Sequence, residues 1–214
     1  NTGLKVSEVA FGGVEIGMPY GLKMSQAKHM LQKQDAIKLL HHAFDQGITL
    51  FDTARLYGES ENIMGEAFQG IRQQIVLASK CRHFRNPDGT LPDKFALKHI
   101  VRQSIHESLN ALKTDYIDIY YSHRDDASTP MEETLGAYAK LIKAGKVRYI
   151  AASQHTGARL QEALSISVKY ALPSYIALQD QYNLVHREPF ESEQAPVLAA
   201  NGLGSFPFYG LARG

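Results

Sequence analysis

The sequence predicts an α/β fold, a (β/α)8 (TIM) barrel, and three observations carry that prediction. Seven short apolar runs read as strands: Glu8–Gly12, Ile48–Thr53, Gln74–Lys80, Tyr116–Ser122, Val147–Ala152, Tyr175–Gln179 and Gly204–Phe208. Several of them, such as IVLAS, YIDIYY and VRYIAAS, lack polar alternation, as parallel strands covered on both faces do. Between the runs the apolar period becomes helical, so that a β-then-α unit recurs until the seventh strand.

The same alternation suits an open doubly wound sheet. A dinucleotide domain of that kind should carry G-x-G-x-x-G after a strand. The nearest candidate, Phe11-Gly12-Gly13, lacks that spacing and runs into a long irregular stretch, so the barrel is favoured. A typical barrel takes about 250 residues, whereas this chain has 214 and stops just after strand seven. The expectation is one barrel domain over residues 1–214, C-terminally incomplete, with the eighth βα unit absent from this sequence. Its two sheet edges would need cover.

The helices follow from local signals. Ile37, Leu40 and Phe44 share one face, and Leu97, Val101, Ile105, Leu109 and Leu112 form a longer stripe. Thr129-Pro130-Met131-Glu132 reads as a helix start, with Thr129 as cap, Pro130 at the first helical position and Glu132 completing a capping box. Ser60 reads as the cap of the helix after strand two. Gly47, Gly70 and Gly145 fall near helix ends, where a left-handed residue is useful. No linker-like or low-complexity segment divides the chain.

Composition narrows the class. Hydrophobic residues make up 44% and charged residues 21%, ordinary globular values. A formal net charge of +1 announces neither nucleic acid nor an acidic membrane as partner. One cysteine, Cys81, rules out an internal disulfide framework and suits a reducing compartment. No apolar stretch approaches the roughly 20 residues of a membrane span. Asn1 is neither an initiator methionine nor the start of a signal peptide. A soluble, cytoplasmic protein is expected, of unspecified oligomeric state. No metal is expected: His41 and His42 are adjacent on a helix and cannot face one ion, and no His/Cys/carboxylate cluster has ligand spacing.

In such barrels chemistry gathers at the C-terminal ends of the strands. The polar residues there are Asp52 and Tyr57 after strand two, Lys80 at the end of strand three and His123 after strand four. Ser153 and Gln154 follow strand five, and Gln179 ends strand six. Singly, each has a plain reading as a turn, cap or solvated residue. On consecutive strands at one rim they suit a single chemistry. If a hydride reaches a carbonyl carbon, the developing alkoxide needs a proton. A tyrosine hydroxyl can supply it, but its reference pKa of about 10 makes it a reluctant acid. A neighbouring ammonium, Lys80, would stabilise the phenolate and lower that barrier. Asp52 would hold Lys80 charged, and His123 would orient the carbonyl by hydrogen bonding. The hydride must come from a cofactor.

Three other features are secondary. Cys81, beside Lys80, reads as a small residue with a redox role as its alternative. The loop 81–92 reads as one wall of the substrate opening or as a solvated loop. The long connection from Glu15 to Gln34, with Met18, Tyr20 and Met24, is expected to cover part of the pocket.

The stretches VAFGG, GITLFDTARLYGESENIMGEAF, VLASK, SLNALKTDYIDIYYSHRDD, TPMEETLGAYAKLIKAGKVRYIAAS, ALQDQYNL and PFYGLARG together resemble the aldo-keto reductase family, in family order. The resemblance implies a (β/α)8 barrel and NAD(P)H-dependent oxidoreduction of aldehydes and ketones. It implies a catalytic tetrad at Asp52, Tyr57, Lys80 and His123. It further implies cofactor contacts at Gly12, Gly13, Asp52, Ser153, Gln154, Gln179, Phe208, Tyr209, Gly210 and Leu211. Phe208 would stack on the nicotinamide, and Tyr209, Gly210 and Leu211 would approach the pyrophosphate. Gln154 stands where the family usually has Asn, which keeps the amide but adds a methylene. The first strand of the family's N-terminal hairpin is mostly missing before Asn1. The family's eighth strand, 2′-phosphate grip and substrate loop lie beyond Gly214.

The expected function is therefore NADP(H)-dependent reduction of small carbonyl substrates, or the reverse alcohol oxidation, with NAD(H) left open. A cofactor-binding sensor or auxiliary subunit is the alternative, and a metal-dependent barrel hydrolase using Asp52 and His123 is a third reading.

Overall fold

The computed structural model describes residues 2–20, 31–81 and 97–212. Among them, seven parallel strands form one sheet in chain order: β1 (Phe11–Gly12), β2 (Leu50–Asp52), β3 (Val76–Lys80), β4 (Ile117–Ser122), β5 (Val147–Ser153), β6 (Tyr175–Gln179) and β7 (Gly204–Ser205). Parallel neighbours need crossovers. The helices α1 (Val14–Gly17), α2 (Lys33–Asp45), α3 (Ser60–Ala67), α4 (Leu97–Ala111), α5 (Met131–Lys143), α6 (Gly157–Tyr170) and α7 (Ala195–Asn201) lie in them. The sheet is strongly curled. Gln179 on β6 hydrogen-bonds Asp52 on β2 at 3.2 Å, whereas four strand spacings of a flat sheet would separate them by about 19 Å. This is the α/β barrel wall expected from the sequence, with β1 and β7 as its edge strands.

Two apolar layers follow from strand alternation. Leu50, Val76, Ala78, Ile119, Tyr121, Ala151 and Ala177 face inward and form the inner cluster. Phe51, Leu77, Tyr120, Ile150, Ala152 and Leu178 face outward and pack with the helices in a larger cluster. Leu40 and Ala36 of α2 are buried there, with Ile37 and Phe44 half-buried against it. Val101, Ile105 and Leu109 carry the α4 face, and Leu112 packs just past its end; the side chain of Leu97 lies outside the described residues. Full burial of one such aliphatic side chain contributes about 1.5–3 kcal/mol.

The N-terminal end of the barrel is closed by the first residues. Ser7 and Thr49 exchange backbone-to-hydroxyl bonds at 2.9 and 3.0 Å, and Tyr149 donates to the Thr2 carbonyl at 2.8 Å. On the outside at that end, Asp118 is fully buried. It receives Arg72 and Arg148 at 2.8 Å each and the Leu77 N–H at 3.0 Å.

Four local expectations need correction. β1 is shorter than Glu8–Gly12, because only Phe11 and Gly12 pair with β2. β7 stops at Ser205, short of Phe208; Pro207 lacks the N–H a ladder needs, and Phe208 instead bridges to Gln181. The α5 capping box does not form. Pro130 is the residue before the helix, no side chain caps it, and the Thr129 hydroxyl donates to Asp126. Ser60 is the first residue of α3 rather than its cap, and its Oγ accepts from Thr53 Oγ1 at 2.8 Å. In both cases a nearby side chain outside the helix takes the hydroxyl that could have capped it. Gly47, Gly70 and Gly145 do take left-handed conformations, with φ of 90°, 88° and 70°.

Candidate active site

Inward residues at the C-terminal strand ends continue the inner apolar register by one step. Asp52 follows Leu50, Lys80 follows Ala78, Ser153 follows Ala151, and Gln179 follows Ala177. β6 reaches that register through a bulge. Ile150 pairs with Tyr175 and Ala152 with Leu178, so β6 carries one extra residue. Without it, Gln179 would point outward; bulges re-aim side chains in this way.

The four residues argued for proton transfer meet on this rim. Lys80, 1% exposed, donates to Asp52 Oδ2 at 2.5 Å and to the Thr53 carbonyl at 2.9 Å. Its ammonium lies 4.9 Å from the centre of the Tyr57 ring. The His123 ring meets Tyr57 edge-on at 5.9 Å between centroids. Burial alone would pull the Lys80 pKa down. The charges of Asp52 and Tyr57, with hydrogen bonds donated by Lys80 to both, outweigh burial and hold its pKa above the ordinary lysine value.

The loop carrying Tyr57 is held closely. Tyr57 N–H donates to the Ala54 carbonyl at 2.9 Å, and its own carbonyl accepts from Ser60 N–H at 3.0 Å. Gly17 of α1 packs so closely that a Cβ there would lie 1.9 Å from the Tyr57 carbonyl oxygen. Its carbonyl accepts from Glu59 N–H at 3.1 Å. The start of the long first connection therefore buttresses the Tyr57 loop, and Tyr20 stacks on Tyr209 at 6.0 Å and 13°. Met24 and the loop 82–92 lie outside the described residues.

The residues assigned to cofactor binding line the same rim in strand order. Ser153 pairs with Gln179 in register, and the Gln154 N–H donates to the Gln179 carbonyl at 3.1 Å. Gln179 spends an amide N–H on Asp52 Oδ1, and Gln154 donates its own to the His123 carbonyl at 3.2 Å. Gln154 has φ 54°, a left-handed conformation that Asn tolerates better than Gln. Phe208 N–H donates to the Asp180 carbonyl at 3.0 Å, and its ring meets Tyr209 edge-on at 4.9 Å. Tyr209 is itself left-handed, at φ 58°. Gly12 and Gly210 face open space, while a Cβ on Gly13 would strike Met64 and Ser60.

Behind the rim lies a polar network that sequence reading missed. Ser122 Oγ bonds the hydroxyls of Tyr138 and Tyr175 at 2.9 and 2.8 Å, and Tyr138 donates to Cys81 Sγ at 3.5 Å. Burial pushes the Cys81 thiol above its ordinary pKa, which makes it a poor nucleophile. His155 is buried beside it, 2.8 Å from the Ser153 carbonyl and edge-on to Tyr175. A second missed group is Glu61, joined to Arg55 and Ser79 at 2.7 Å each. The signal available was an opposite-charge pair, Arg55 and Glu61, flanking Tyr57.

Among the described residues no cluster of three His, Cys, Asp or Glu could hold a metal ion, and no helix is long and apolar enough to cross a membrane.

The chain matches the model of the aldo/keto reductase family over residues 9–214. It is 35% identical to "Aldo-keto reductase AMT2" of Alternaria alternata, over 100% of this chain and 64% of that protein. It is 34% identical to a "Putative voltage-gated potassium channel subunit beta" of Schizosaccharomyces pombe, over 95% of this chain and 58% of that protein. It is 30% identical to "Versiconal hemiacetal acetate reductase" of Aspergillus parasiticus, over 100% of this chain and 66% of that protein. The chain thus spans roughly three fifths of the length of these relatives. With the family match covering nearly all of the sequence, the chain belongs to the aldo/keto reductase family.

Proposed function

We propose that residues 1–214 belong to a single barrel domain of a cytoplasmic oxidoreductase that interconverts small aldehydes or ketones and alcohols with NADP(H). NADP is preferred over NAD because the resemblance favours it. The observation that carries this reading is the buried Lys80 ammonium, 2.5 Å from Asp52 and 4.9 Å from the Tyr57 ring, with His123 edge-on to that ring. When bound, the dinucleotide supplies the hydride that no side chain can provide.

The chain's own residues then manage the substrate oxygen. His123 donates a hydrogen bond to it and fixes the carbonyl's direction. Tyr57 gives that oxygen its hydroxyl proton as negative charge develops there. Lys80, kept charged by Asp52, stabilises the phenolate that remains. A positioned proton donor of this kind contributes on the order of 10²–10⁴ in rate. Ser153, Gln154 and Gln179 supply the polar contacts for the carboxamide, and Phe208 the stacking surface. Tyr209, Gly210 and Leu211, with Gly12 and Gly13, line the approach for the rest of the dinucleotide.

Tyr57→Phe in the full-length protein tests the assignment. Turnover of a panel of aldehydes should fall by at least about 10²-fold, with cofactor binding by fluorescence unchanged. Retained turnover would sink the assignment of Tyr57 as donor. The names of the channel-subunit relatives support a second reading, a cofactor-binding auxiliary subunit with little turnover. Tight cofactor binding with no turnover across the panel would select it.

A further inference from the structure

Glu61 is completely buried, with 0% of its surface exposed, and none of the steps above uses it. It sits in the first turn of α3, outside the sheet, and its two oxygens are divided between two segments. Oε2 accepts from Arg55 Nη1 at 2.7 Å, and Oε1 accepts from Ser79 Oγ at 2.7 Å. Arg55 stands two residues before Tyr57 on the same loop. Ser79 immediately precedes Lys80, and strand alternation turns Ser79 outward as it turns Lys80 inward. One carboxylate therefore clamps the loop of the proton donor to the strand of its ammonium neighbour.

Two further bonds run in parallel. Thr53 Oγ1 donates to Ser60 Oγ at 2.8 Å, next to Glu61 in the chain, and Lys80 Nζ donates to the Thr53 carbonyl at 2.9 Å. The loop from Thr53 to Ser60 is thus tied to α3 at its first residue by a hydroxyl pair and two residues later by charge. A buried carboxylate is costly unless paired.

We infer that Glu61 is a positioning residue, which sets the approach of Tyr57 to Lys80 by holding Arg55 and Ser79 together. This rests on Tyr57 acting as proton donor. Glu61→Gln keeps the shape but removes the charge that holds Arg55, and its single acceptor oxygen can serve only one of Arg55 and Ser79. Misplacing a reacting group by 1 Å costs about 10²-fold.

In the full-length enzyme, Glu61→Gln should therefore lower kcat by about 10- to 100-fold. The cofactor Kd should stay within about twofold, because the Ser153, Gln154 and Gln179 side of the rim is untouched. Adding Arg55→Gln restores complementary amides and should recover part of kcat. Ser79→Ala cuts a single bond, carries the same split at smaller size, and serves if Glu61→Gln does not fold. Unchanged kcat in a folded variant overturns the inference. So does a loss of kcat and cofactor affinity together, in step with stability. Wild-type enzyme without turnover, or Tyr57→Phe with it, would overturn the proposed function instead; a crystal structure of Glu61→Gln with the Tyr57 loop unmoved still decides against positioning.

Discussion

Gln179 donates its amide N–H to Asp52 Oδ1 at 3.2 Å across the barrel mouth, although 127 positions separate the two in the chain. The other Asp52 oxygen accepts from Lys80 at 2.5 Å. Both oxygens are committed, so the carboxylate has one orientation, and Lys80 has its charge partner at a fixed distance. Gln179 reaches Asp52 only because the β6 bulge turns it inward.

Asp52→Asn should consequently produce a pH-dependent defect. Burial is the largest influence on Lys80 and opposes its charge; Asp52 is the strongest counterweight. With Asp52 neutral, that counterweight is lost and the lysine pKa falls. A lysine with a lowered pKa stays charged below that value and is neutral above it. The deficit in kcat relative to wild type should therefore widen as pH rises from about 6 to about 9, reaching at least tenfold. Steady-state rates across that range, with saturating cofactor, check it. A deficit of constant size would show that the Asp52 charge is not what keeps Lys80 protonated.

The particulars of this rim show what sequence reading can reach. Asp52, Lys80 and Gln179 were legible because an apolar parallel strand that ends on a polar residue brings that residue to the barrel mouth. Their inward direction was less legible. The one-residue bulge between Ile150–Ala152 and Tyr175–Leu178 leaves no composition signal, yet it decides which way Gln179 points. Helix starts failed for a related reason. Thr129 and Ser60 both have the right chemistry for caps, but Asp126 and Thr53 lie closer to their hydroxyls in space than the helix N–H groups do. Glu61 is, by its place in the chain, an ordinary first-turn acid, and nothing local shows that α3 presses it against Ser79. Local residue chemistry was readable from the chain; which of several possible partners each side chain takes was not.

The buried carboxylate at the opposite end of the barrel should dominate stability. Asp118 is 1% exposed in its side chain and binds Arg72 and Arg148 at 2.8 Å each, and both guanidinium groups lie over the Tyr116 ring at 4.1 and 4.0 Å. Asp118→Ala would leave Arg72, at 15% exposure, with a charge it cannot readily hydrate. A loss of about 3–5 kcal/mol is expected. Arg148 is 52% exposed, so solvent screens its share, and Arg148→Ala should cost less than about 1 kcal/mol. Urea unfolding of the two variants measures the contrast. Equal losses would mean that the Coulomb pairing itself, rather than a stranded buried charge, sets the cost.

His155 should make the protein less stable in mild acid. Burial disfavours its charged form most strongly, and Arg159 adds to this. The Ser153 carbonyl, Asp125 and Asp180 pull the other way without prevailing, so its pKa lies below the ordinary 6.5. A histidine with a depressed folded-state pKa is neutral in the native protein, while the unfolded chain takes up a proton as pH falls through about 6.5. Its contribution to stability is complete above that value and is lost as pH drops toward the folded pKa. Glu66 and Glu191, whose carboxyls are held below their usual 4.5, act in the same direction but at lower pH. The window from about 7.5 to 5.5 therefore lies above the carboxylate range, and comparison with His155→Gln separates His155 from the other histidines. Thermal unfolding should show a midpoint that falls across this window in the wild type and falls less in His155→Gln, whose amide can still donate to the Ser153 carbonyl. An identical slope in both proteins would place the acid sensitivity elsewhere.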